Sequence, residues 1–140
     1  METIVWDTSV YITRFRTGLG WKDQENNILL LSSVVAAELA AGHTDDKNDL
    51  LRFKNYANQM FLNNRVLTPS FLNWYDTGVI IGRIIRSSPD LKNKKTLLFN
   101  DCLIAISSTQ INAKVITANI KDFELIRNYV DFKVSYQYAS

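Results

Sequence analysis

Apolar residues along the chain fall into short continuous runs, separated by stretches in which they recur every three or four positions. The short runs read as strands. Ile4–Trp6 is the first, closed by Asp7, and "ILLL" (Ile28 to Leu31) is the second. "RVLTPS", "KVIT" and "FKVSY" supply three more. Between them lie helices. Ser9 is a candidate N-cap for a helix through Phe15 that Gly18 ends. "SSVVAAELAAG" predicts a helix closed by Gly42. "TDDKNDLLRFKNYANQMFLNN" predicts a long amphipathic helix whose apolar stripe is Leu50, Phe53, Ala57, Met60 and Phe61. Its acids Asp45, Asp46 and Asp49 fall in the first turns, where the helix dipole favours negative charge. "FLNWYDTGVIIGRIIRSSP" is a helix that ends before Pro89, and a basic loop around Lys92, Lys94 and Lys95 follows. "TLLFNDCLIAISSTQIN" and "KDFELIRNY" are the remaining helices. Strands alternating with helices predict a three-layer α/β fold with a parallel sheet and right-handed crossovers. The 140 residues are expected to form a single domain, 1–140.

Composition narrows the picture only a little. Apolar residues make up 46% and charged residues 21%, a globular balance rather than a disordered one. The net charge of +2 permits a nucleic-acid partner without requiring one. No basic segment precedes an apolar N-terminal core and no run is long enough to span a membrane, so a cytoplasmic protein is expected. Cys102 is the one cysteine and His43 the one histidine. An internal disulfide is excluded, and a zinc site of thiolate and imidazole ligands nearly so.

Three carboxylates stand where solvent is not expected. Asp7 closes the first strand, Glu38 interrupts "VVAAELAA", and Asp101 interrupts "LLFNDCLIAI". Each alone has an ordinary explanation: Asp7 caps the next helix, and Glu38 and Asp101 face water on a thin stripe. Together they point elsewhere. Ligands of parallel α/β sheets bind at the carboxyl ends of the strands, and all three acids belong near that edge. Their mutual repulsion calls for a cation, and clustered oxygen ligands without His or Cys select Mg²⁺ or Mn²⁺.

The order "DTSVYI", "SSVVAAELAAG", "NDCLIAISS" and "VITANIKDF" resembles the PIN-domain ribonucleases, above all the VapC-type toxins of toxin–antitoxin pairs. The resemblance spans the whole chain with the motifs in register. It implies a PIN-like, Rossmann-like sheet, and Mg²⁺ or Mn²⁺ held by Asp7, Glu38 and Asp101. It also implies that Ser9 and Thr117 line the site. Many PIN domains carry a fourth acid two residues after the threonine of the last motif. Here that position is Asn119, and Asp122 follows in "NIKDF". Asp122 is expected to contribute from the ion's outer shell, with Asn119 orienting a water through its carbonyl oxygen.

Other catalytic equipment is missing: there is no G-x-S-x-G elbow, P-loop or glycine-rich dinucleotide fingerprint. His43 reads as a surface residue and Cys102 as a packed thiol. A metal-activated water is therefore the expected attacker, and the resemblance makes the substrate RNA. Arg14, Arg16, Arg83, Arg86, Lys92, Lys94 and Lys95 are candidates for substrate grip, though most such charges simply face solvent. The resemblance further implies an antitoxin partner and a homodimer. Two other readings stay open: a non-catalytic PIN domain that binds protein or RNA, and a metal-dependent phosphohydrolase acting on small phosphate esters.

Overall fold

The computed structural model describes residues 1–21, 26–42 and 46–137. His43 and Asp45, both singled out above, lie outside the described residues. The elements run β1 (Glu2–Trp6), α1 (Thr8–Arg16), β2 (Asn27–Ser32), α2 (Ser33–Gly42), α3 (Lys47–Leu62), β3 (Val66–Leu67) and α4 (Phe71–Ser87). A 3₁₀ helix (Pro89–Lys94), α5 (Lys95–Thr109), β4 (Lys114–Thr117), α6 (Ile120–Arg127) and β5 (Lys133–Tyr136) complete them.

The five strands form one sheet in the order β3-β2-β1-β4-β5. All four pairings are parallel, with Val5 opposite Leu30 on one side and Val115 on the other. Val5 and Val115 are fully buried, as central strands of a parallel sheet require. α1 packs on α2 and α2 on α3, while α4 packs on α5 and α5 on α6. α2 also packs on α5, so helices flank the sheet and the two groups meet there. The α/β expectation from the sequence therefore holds.

Local chemistry sets the helix boundaries. Ser70 and Asn73 form a reciprocal capping box at the start of α4, which stabilises that end by about 1 kcal/mol. Pro89 follows the α4 C-cap, Ser88, and cannot continue the helix. α5 is the central helix: every residue from Asp101 to Ser108 is buried. Ser107 and Ser108 satisfy their hydroxyls inside it by donating to the carbonyls of Leu103 and Ile104.

Three details differ from the sequence reading. α1 starts at Thr8, with Asp7 rather than Ser9 as its N-cap. The basic stretch is not a loop: Lys92 and Lys94 lie in the 3₁₀ helix and Lys95 opens α5. On α3 only the middle of the apolar stripe is covered. Phe53 is buried and Ala57 and Met60 pack against the core, but Leu50 and Phe61 remain exposed. The sheet beyond β2 continues only as the two-residue β3, too short to cover a long helix along its whole length.

Candidate active site

β1 lies between β2 and β4, and the chain leaves it towards β2 and returns later to β4 on its other side. That is the topological switch point, where a crevice opens at the carboxyl ends of the strands. Asp7 follows the last residue of β1, and Thr117 ends β4 beside it.

Asp7 is 4% exposed, and its two oxygens are fully engaged. Oδ1 accepts from the Thr8 backbone N–H at 2.7 Å, which caps α1. Oδ2 accepts from the Thr117 hydroxyl at 2.7 Å and the Ser9 hydroxyl at 3.0 Å. Ser9 Oγ in turn accepts from the Ala118 N–H, and Thr117 Oγ1 from the Asn119 N–H. The "DTS" motif and the "TAN" motif are thus tied into one unit. Burial pushes the Asp7 carboxyl above its ordinary range, and the donors from Thr117, Ser9 and Thr8 oppose that rise.

Glu38 reaches the same edge from α2, which packs on both α1 and α5. Its Oε1 accepts from the Thr8 hydroxyl at 2.9 Å. Thr8 is a contact that sequence reasoning missed. The signal was a hydroxyl directly after Asp7, but its partner lies 30 residues away.

Asp101 sits in the second turn of α5, 7% exposed. Burial first, then the charges of Asp7, Glu38 and Asp122, push its carboxyl up to about 9. Lys94 pulls it the other way. Asp122 lies in the first turn of α6, also 7% exposed, and its Oδ1 accepts from Lys94 Nζ at 2.9 Å. Asn119 spaces the two acids: its Nδ2 donates to Asp122 Oδ2 at 3.1 Å and reaches Asp101 Oδ2 at 3.4 Å. The Asn119 Oδ1 accepts from the Asp122 N–H as the cap of α6. The amide nitrogen, not the carbonyl oxygen, therefore faces the carboxylates.

The structure thus brings Asp7, Glu38, Asp101 and Asp122 within electrostatic reach of one another, with Ser9, Thr117 and Asn119 between them. Among the described residues, no three His, Cys, Asp or Glu side chains stand close enough to close around an ion as they are. Hydroxyl and amide donors fill the space between the acids. The donor set fits a hard divalent ion: it is all carboxylate oxygen, and Asp101 is a buried acid pressed by three like charges.

Most other candidates fall outside the site. Burial pushes the Cys102 thiol up to about 12, so it is a packed side chain and not a thiolate. Arg14 is used structurally, with Nε donating to the Gly20 carbonyl at 2.8 Å and the guanidinium 4.7 Å from the centre of the Trp6 ring. Arg83 lies over Tyr129. Trp21 belongs to an aromatic cluster with Tyr11, Phe15, Phe53 and Tyr56. Lys92 and Lys95 are exposed.

No family model matches the sequence, and no curated protein matches it. Solved structures do. VapBC-1 from nontypeable Haemophilus influenzae matches at 20% identity over 96% of this chain and 97% of that chain, with a TM-score of 0.57. VapBC2 from Rickettsia felis, bound to a DNA fragment from its promoter, matches at 23% identity over 96% and 98%, with a TM-score of 0.59. VapBC-5 from Mycobacterium tuberculosis, a member of the VapBC family of toxin–antitoxin systems, matches at 17% identity over 99% of each chain, with a TM-score of 0.59. At these identities the likeness is one of fold. The chain has a PIN-like α/β fold, and the solved structures it is similar to are toxin–antitoxin proteins.

Proposed function

We propose that the chain is a metal-dependent endoribonuclease, a single PIN domain acting as the toxin of a toxin–antitoxin pair. The observation that carries this reading is Asp101. A carboxyl on the central helix, raised first by its burial and then by the charges of Asp7, Glu38 and Asp122 converging on the same strand ends, is a poor structural element. Groups with strongly perturbed ionisation in a cleft mark functional sites.

In this reading Asp7, Glu38 and Asp101 hold Mg²⁺ or Mn²⁺, and Asp122 contributes from further out. When bound, the ion supplies Lewis-acid stabilisation of charge on the phosphodiester and a lowered pKa for water. The protein's own residues supply order. Thr117, Ser9 and the Thr8 N–H fix Asp7 in one orientation, and the Thr8 hydroxyl fixes Glu38. Asn119 keeps Asp101 and Asp122 apart. The exposed Lys92 and Lys95 offer charge to an RNA backbone without reading its sequence.

The solved VapBC structures support an antitoxin protein as partner. A homodimer is part of the same reading, and the exposed apolar residues of α4, Phe71, Leu72, Tyr75 and Val79, suit a protein contact. The cytoplasm is the proposed place of action; among the described residues no helix is long and apolar enough to cross a membrane.

Cleavage of single-stranded RNA is to be measured in EDTA and again after Mg²⁺ or Mn²⁺ is restored. Activity that appears only with metal, and disappears in Asp7→Asn, supports the proposal. Full activity in a metal-free preparation sinks it.

A further inference from the structure

Among the described residues, Lys94 is the cation that enters the carboxylate cluster. Its ammonium stands 2.9 Å from Asp122 Oδ1, with the lysine side chain 34% and the aspartate side chain 9% exposed. The other ion pairs among the described residues, Lys114–Glu2, Arg52–Asp49 and Arg127–Glu124, all leave both side chains at least 29% exposed. Such exposed pairs contribute little to stability. The Lys94 pair differs because one member is buried beside Asp101, linked to it through the Asn119 amide.

Lys94 stands at the solvent edge of the cluster, its side chain partly exposed and its ammonium on the buried Asp122. It ends the 3₁₀ helix and stands at the N-cap position of α5, the helix that carries Asp101, between the exposed Lys92 and Lys95. It makes no side-chain cap for that helix. Its stem is a flexible chain with a compact charge that moves without a fixed hydrogen-bond geometry.

Resting on the nuclease reading, we propose that Lys94 is a positioning residue that couples RNA binding to metal binding. In the free protein its ammonium neutralises Asp122 and adds a positive charge that opposes a divalent ion. A phosphate of bound RNA competes for the ammonium and draws it outward. Asp122 then turns its full charge towards the ion. Because coupling is reciprocal, the bound ion strengthens RNA binding by the same factor.

The test is Mn²⁺ binding to the full chain by calorimetry, with and without a 2′-O-methyl RNA oligonucleotide; no turnover is read. In wild type the oligonucleotide is expected to tighten Mn²⁺ binding. Lys94→Met is expected to bind Mn²⁺ about tenfold more tightly than wild type without RNA, a usual size for coupling between two sites, and to gain nothing further from RNA. Its RNA affinity should also lose about 0.7 from the slope of log K against log salt. Lys94→Gln keeps a donor for Asp122 without the charge, and should behave like Lys94→Met if the latter does not fold. Lys94→Arg should retain the coupling. A merely structural pair predicts weaker Mn²⁺ binding once Asp122 loses its anchor. Weaker or unchanged affinity in a folded Lys94→Met or Lys94→Gln overturns the inference and leaves the nuclease reading standing. Wild-type protein that binds no Mn²⁺ overturns both.

Discussion

The Thr117 hydroxyl donates to Asp7 Oδ2 across 2.7 Å, joining two residues 110 positions apart in the sequence. Thr117 Oγ1 itself accepts from the Asn119 N–H at 2.9 Å. One side chain therefore aims the acid at the end of β1 and fixes the entry into α6. Thr117→Val removes both bonds at a fully buried position. It is expected to cost about 1–3 kcal/mol of stability and to lower cleavage with it. Thr117→Ser should restore most of each. Melting curves and RNA cleavage check this, and a valine variant equal to wild type in both would remove Thr117 from the site's framework.

The pH dependence of the metal-free protein follows from Asp101 and Asp7. Both carboxyls are raised in the folded state above the ordinary value of 3.8, Asp101 to about 9. The folded protein therefore holds more protons than the unfolded chain between about pH 4 and about pH 9. Stability contributed by these groups is present at the acid end and is lost as pH rises through that window. In EDTA, the melting temperature should fall from about pH 5 to about pH 9. Asp101→Asn should flatten that fall and melt higher than wild type at the alkaline end, while abolishing cleavage. This is the trade of stability for function common at active sites. An equal slope in both proteins would mean that Asp101 carries no such strain.

The acids of this edge were legible because they break an apolar pattern. Asp101 inside "LLFNDCLIAI" and Asp7 after "IVW" each need an explanation that a solvent-facing acid does not. The strand–helix alternation was legible for the same reason, since burial imposes its period on the sequence. What was not legible are contacts made across the fold. Thr8 to Glu38 spans 30 residues and Lys94 to Asp122 spans 28, with nothing local to mark either. The start of α1 was misread because Asp7 caps the helix and serves the cluster together, and Ser9 offered the usual cap chemistry. On α3 the period was right but the depth was not. Periodicity tells which residues share a face, while burial of Leu50 and Phe61 depends on how far the neighbouring sheet extends.

Association should be visible in solution. Phe71 stacks on Tyr75 on the outer side of α4, and both are more than 60% exposed. If a dimer covers this helix, light scattering of the purified chain will give twice the monomer mass, and Tyr75→Glu will shift it to the monomer mass without loss of fold. A wild-type monomer at high micromolar concentration counts against the dimer, though not against the nuclease.

The last question is which residue fills the role of the fourth acid. Asn119 stands at the expected position, but its oxygen caps α6 and its nitrogen is shared between Asp101 and Asp122. Asp122 brings the charge, partly neutralised by Lys94. Asp122→Asn is therefore expected to raise the Mg²⁺ concentration for half-maximal cleavage by about ten- to a hundredfold, because the cluster loses a charge and the Lys94 ammonium loses its partner. Asn119→Asp keeps an oxygen for the Asp122 N–H and replaces the bridging donor with another carboxylate. It should tighten metal binding and lower the melting temperature in EDTA, as five acids with no amide between them repel. Asp7→Asn should stop cleavage at any metal concentration. A metal titration unmoved by Asp122→Asn would reduce Asp122 to a favourable charge at the start of α6, and the site would run on Asp7, Glu38 and Asp101.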